Sequence, residues 1–180
     1  MAASPATPSL RLKLDRAYEH IQALERDISA WIKTDPYEIA DEPDPEPPLE
    51  QVSHPNVIYR RFRITRLDPV PAPLLIIVGD CLFNLRSALD HLAFALAVTN
   101  TPNMTTEQEA SCEFPIFHDR PTKHGKERRK IGCIDPQAAA VIKALQPHHR
   151  RDYRDDPLWQ IHELNRIDKH PWPSCRSSSR

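Results

Sequence analysis

The sequence predicts a mainly α protein: a four-helix bundle-like domain with a small β-hairpin inserted between the first and second helices. Three observations carry this. The chain of 180 residues has 19 Pro and only 3 Gly, where average usage would give roughly 9 and 13, so its proline-free intervals map where helices are allowed. Two of those intervals, Ser9 to Asp35 and Leu74 to Thr101, are long and carry apolar seams at helical spacing. Two shorter segments each open on Asp-Pro, with Asp as N-cap and Pro as the first helical residue.

In the first long interval Leu10, Leu14, Ala17, Ile21, Leu24, Ile28 and Trp31 alternate spacings of four and three, with charged residues between them. That narrow seam suits packing against another helix, within the chain or between chains. Asp35 to Glu50 then holds seven acids, no Lys or Arg, and five prolines, which predicts an exposed extended loop. Asn56 to Arg66 is rich in β-branched and aromatic residues with partial alternation and reads as a strand, with Tyr37 to Ala40 as its hairpin partner. In the second long interval Val78, Leu82, Leu85, Leu89, Leu92 and Leu96 repeat the seam and define a central helix. Asp135-Pro136 opens a helix through Leu145, and Asp156-Pro157 opens the last one, through His170. Residues 1–170 are expected to form a single helical domain, with 171–180 a disordered or truncated tail.

Composition excludes several functions. The glycine deficit excludes Gly-rich phosphate loops and collagen-like repeats, and a net charge of -1 excludes a globally basic nucleic-acid binder. Cys81, Cys112, Cys133 and Cys175 form no C-x-x-C pair and stand beside no His pair at zinc spacing, so neither a disulfide scaffold nor a cysteine-ligated metal site is predicted. No cofactor is implied. The start of the chain lacks the basic-then-apolar pattern of a signal peptide. The apolar stretch Pro73 to Val98 carries Asp80, Asn84, Arg86, Asp90 and His91, which a membrane-spanning helix rarely tolerates. A cytoplasmic, soluble protein is the expectation.

The informative polar residues lie on two helices. At 100° per residue, Asp80, Asn84, Ser87 and His91 fall within about 60° of one another on the central helix, opposite its leucine seam. On the last helix Asn165 and Asp168 share the side of Leu158, Ile161 and Leu164. Buried polar groups need partners, so the two sets predict an inter-helix network in which Asp168 bonds Arg86 or His91. Arg86 and Asp90, spaced i,i+4, form an ion pair in the simplest reading. Such a network can serve structure alone, fixing helix register.

Arg86-Ser-Ala-Leu-Asp-His91, an Arg followed by a His, resembles the motif of the HEPN superfamily, helical proteins that include metal-independent ribonucleases of toxin-antitoxin and defence systems. The resemblance implies a cleft between two protomers, with His91 as general acid/base and Arg86 stabilising charge on the phosphate. It also implies a homodimer, an RNA substrate and an antitoxin-like protein partner. Arg86 and His91 stand about 140° apart around the helix, so a shared phosphate calls for a dimeric site. Ser87 departs from the Asn, Asp or His common after the family's Arg. The blocks Gly79 to Leu92, Phe114-Pro-Ile-Phe117, Ile142 to Pro147 and Leu158 to His170 are similar to a recurrent group of uncharacterised bacterial proteins. There an Arg and a strand tend to follow Asp-Lys-His, so the different sequence of 171–180 suggests a truncation or a frame change.

Lesser candidates are the basic clusters Lys123 to Lys130 and His148 to Arg154, which could hold RNA phosphates, and a metal set of His91, His162 and His170. Cys81, Trp31 and Trp159 are expected to be packing residues. The competing class of function is a non-enzymatic interaction module that dimerises through its helices, its polar residues serving structure.

Overall fold

The computed structural model describes residues 6–44, 59–121 and 124–169. The chain is mainly α. Helix α1 (Ala6–Ile32) is followed by strands β1 (Tyr37–Pro43) and β2 (Arg60–Leu67), then by the central helix α2 (Ala72–Asn100). Four shorter helices follow: α3 (Thr106–Ser111), α4 (His124–Ile131), α5 (Pro136–Ala144) and α6 (Pro157–Asp168). Two 3-10 turns, Pro147–His149 and Tyr153–Asp155, link the last two.

Six α-helices stand among the described residues where the sequence predicts four. The two additions are short. Helix α3 is closed by a capping box in which Thr105 and Gln108 satisfy each other's backbone N–H groups, a local signal independent of any apolar seam. Helix α4 forms within the basic cluster, where the sequence predicts no helix; Ile131 at its end is buried and anchors it. The Asp-Pro starts are as expected: Asp135 accepts from Gln137 and Ala138, and Asp156 accepts from Leu158.

Helices α1 and α2 run antiparallel, as two contacts along their length show. Ser9 Oγ lies 2.6 Å from His91 Nδ1, and Cys81 Sγ lies 3.7 Å from the Ala17 carbonyl. Helix α1 ends where Asp35 turns into the left-handed region at φ 53°, a conformation Asp tolerates better than most residues. The Asp68 N–H then closes the hairpin base on the Pro36 carbonyl at 2.7 Å.

The hairpin is longer than expected on the acidic side, because β1 continues through Asp41 and Glu42 to Pro43. Cross-strand ion pairs hold those acids: Arg60–Asp41 at 2.5 Å, Arg63–Glu42 at 3.7 Å and Arg66–Glu38 at 3.0 Å. The prediction of a loop over 35–50 therefore gives way at 37–43, and its remainder from 45 lies outside the described residues. A register shift between Glu38 and Ile39 leaves Thr65 unpaired. This bulge explains the partial alternation of β2, since it returns Leu67 to the face of Ile64 and Phe62 despite the odd spacing.

Two regions result. The head gathers the C-terminal part of α2 with α3 to α6 around Ala93, Ala97, Phe114, Ile116, Ile131, Ile134, Ala139 and Ile142. The arm is α1, the N-terminal part of α2 and the hairpin at its tip. Of the predicted α1 seam only Ala17 is fully buried, whereas Leu14, Ile21 and Ile28 stay partly in solvent.

Candidate functional site

The polar centre of the head is built on Arg86 and Asp90, one helical turn apart on α2. The Arg86 guanidinium donates through Nη2 to the Phe114 carbonyl at 2.9 Å and meets Asp90 Oδ1 at 3.0 Å. The same Asp90 oxygen accepts the Phe114 N–H at 3.0 Å, closing a ring of three bonds. Burial pushes the Asp90 carboxyl up from its ordinary range, while Arg86 and the Phe114 N–H pull it back. At the far end of the same segment Gln146 accepts the Phe117 N–H at 3.0 Å and donates to the Pro115 and Ile142 carbonyls at 2.9 and 3.0 Å. Residues 114–117 form no helix or strand, so the side chains of Arg86, Asp90, Gln146 and, at 3.4 Å from the Phe117 carbonyl, His148 supply bonds that a neighbouring strand would otherwise give. Lys130 pairs with Glu113 at the edge of this arrangement.

Helix α6 lies across α2. A Cβ at Gly79 would meet Asp168 Oδ1 at 2.7 Å, and Leu158 lines an apolar groove with Leu89, so the two helices run antiparallel. His162 sits near Arg86 and Lys130; burial first, then those two positive charges, lower its pKa and favour the neutral ring. Its neighbour Trp159 stacks at 5.8 Å and continues into His118 at 4.9 Å and Tyr153 at 5.2 Å. Asn165 is 5% exposed. Among the described residues Arg86 Nη1 and Asn165 Oδ1 are buried without hydrogen-bond partners, one a donor and the other an acceptor. Each such group costs about 1–3 kcal/mol.

The predicted network is only partly assembled. Arg86 and Asp90 form the expected ion pair, and Asn165 points inward. Asp168 does not bond Arg86 or His91: its carboxylate rests against Gly79 and is largely exposed, because the glycine leaves room there for the end of α6. His91 turns instead to Ser9 on α1. Asn84 is buried and donates to the Asp80 carbonyl within its own helix at 2.8 Å, Asp80 is exposed, and Ser87 is half-buried. The polar stripe of α2 thus serves several neighbours rather than α6 alone, since α1 and α6 pack on different sides of the helix. Arg86 and His91 have separate partners in one chain, as their angular separation requires.

Gln146 and the Phe114 backbone escaped prediction. The available signal was Phe114-Pro-Ile-Phe117 itself: a short apolar run with no predicted strand beside it must find hydrogen bonds from side chains. Among the described residues no group of three or more His, Cys, Asp or Glu stands ready to hold a metal, and His170 lies outside them. The basic cluster at 148–154 forms the two 3-10 turns, with Arg150 bonded to Asp156 at 3.3 Å.

The chain matches no protein-family model, no curated protein and no solved structure.

Proposed function

We propose that the protein is a helical interaction module that works as a homodimer, its arm providing the interface. One observation carries this reading. Large apolar residues stay in solvent along the arm, among them Leu12, Tyr18 and Ile32 on α1 and Leu75, Ile76 and Phe83 on α2, while the buried core cluster lies in the head. Helix α2 is long and apolar enough to cross a membrane by length and composition, with 28% of its most apolar stretch buried. The Arg86–Asp90 bonds to Phe114 make it instead the central helix of a soluble domain in this reading. Free thiols at Cys81, Cys112 and Cys133 accord with a reducing, cytoplasmic setting.

A metal-independent endoribonuclease of HEPN type is the second reading. It is favoured by the Arg86 guanidinium, which keeps one buried N–H uncommitted, and it too calls for a second protomer to join Arg86 and His91 at one RNA phosphate. Purified protein with labelled RNA in EDTA, beside His91→Ala, separates the two. Intact dimers by light scattering with RNA left whole support the module. Cleavage that persists in EDTA and disappears in the variant supports the nuclease, and metal-dependent cleavage overturns both.

A further inference from the structure

The hairpin has two unlike faces. Directly opposed residues of an antiparallel pair share a face, so the pairs Tyr37–Leu67 and Ile39–Ile64, with Phe62 two residues on, lie together on one side. These five residues are between 45% and 69% exposed. The other face carries the Arg63–Glu42 and Arg66–Glu38 ion pairs, and the Arg60–Asp41 pair closes the turn end of the apolar side. The bulge at Thr65 is what makes the apolar face continuous.

Such a hairpin is incomplete alone. Two strands are marginally stable in water unless an apolar face is packed. At roughly 200 Å² for each large side chain fully exposed, this face presents on the order of 600 Å² of apolar surface. That reaches the top of the roughly 300–600 Å² range of the largest patch on an ordinary monomer. Two such faces together bury roughly 1,200 Å², the lower end of a stable, specific interface.

We infer that the apolar face of the β1–β2 hairpin packs against the same face of a second copy of this chain, joining two arms tip to tip. The inference rests on the module reading above and names the contact within it. Charge favours a second copy. The hairpin's arginines are taken up by its own acids, so little is left to attract nucleic acid or anionic lipid, and an apolar face is complementary to itself. A patch confined to one end of the arm also closes after two copies, as a two-fold contact does.

Sedimentation of the full chain over a concentration series tests this, using Phe62→Lys, Ile64→Lys and, on the charged face, Arg63→Gln. The wild type is expected to dimerise. Each lysine should weaken association by about 10- to 100-fold, Arg63→Gln should leave it near the wild-type value, and helix content by circular dichroism should be the same in all. Benzoylphenylalanine in place of Phe62 should yield a covalent dimer on irradiation, with the cross-link mapped to the partner's hairpin. A dimer unmoved by both lysines, or cross-linked elsewhere, overturns the hairpin contact and leaves the module reading standing. A monomer at every concentration overturns both. A monomer that binds phosphatidylcholine vesicles, and loses them with Phe62→Lys, assigns the face to lipid and overturns the second copy.

Discussion

The head and the arm use the same kinds of residue to opposite effect. In the head small residues on α2 let other elements come close: Ala93 and Ala97 are fully buried, and Phe114, Ile116 and Ile142 close over them. In the arm the apolar residues are larger and face water, with Ile76 at 65% exposure against 4% for Ile142. A periodic apolar seam thus specifies a helix in both places, but the large buried side chains gather in the head. Along the arm burial falls mainly on small residues such as Ala17 and Cys81, and the larger apolar side chains stay in water.

The sharpest way to break that comparison is one substitution in each region. Ile142→Ala should cost about 2–5 kcal/mol in urea unfolding, by lost burial and the cavity left. Ile76→Ala should stay within about 0.5 kcal/mol for the monomer, and a large effect there would mean that the arm is packed after all. Arg86→Met should cost about 2–4 kcal/mol, since it strands the half-buried Asp90 carboxylate and the Phe114 carbonyl; Asp90→Asn in the same background should recover part of the loss.

At the junction of the two regions, Gly79→Ala should gain less than the roughly 1 kcal/mol of helix propensity, because its methyl must displace the Asp168 carboxylate. With Asp168→Ala the full gain should return, and a thermal double-mutant cycle reads the coupling. The smallest effect is in pH. His162 has a folded pKa below its ordinary 6.5, so the unfolded chain takes the proton first as pH falls. The stabilisation from its neutral ring is whole above that value and is lost as pH drops through it. His162→Gln should flatten that part of the melting profile.

Much of the fold was legible because proline and apolar spacing are local signals. Both long helices, both Asp-Pro starts and the hairpin's position follow from them. The capping box of α3 was equally local, but six residues without a seam offered little to recognise. The site was half legible for a different reason. Helical projection correctly turned Asn165 inward, and the i,i+4 rule gave Arg86–Asp90. It could not say that α1 and α6 approach α2 from different sides, so it assigns Asp168 to Arg86 or His91, and neither bond forms. Gln146 was invisible because its role depends on contacts with Pro115 and Phe117, some thirty residues away.

The segment Phe114–Phe117 ties chain-distant parts into one event. Its amides find acceptors only when residues 86–90, 114–117 and 146 have all arrived, so no local fragment can protect them early. The Phe114 and Phe117 amide protons should therefore be among the slowest in the molecule to exchange with solvent, opening only when the whole head unfolds. In the monomer those of β2 should be among the fastest.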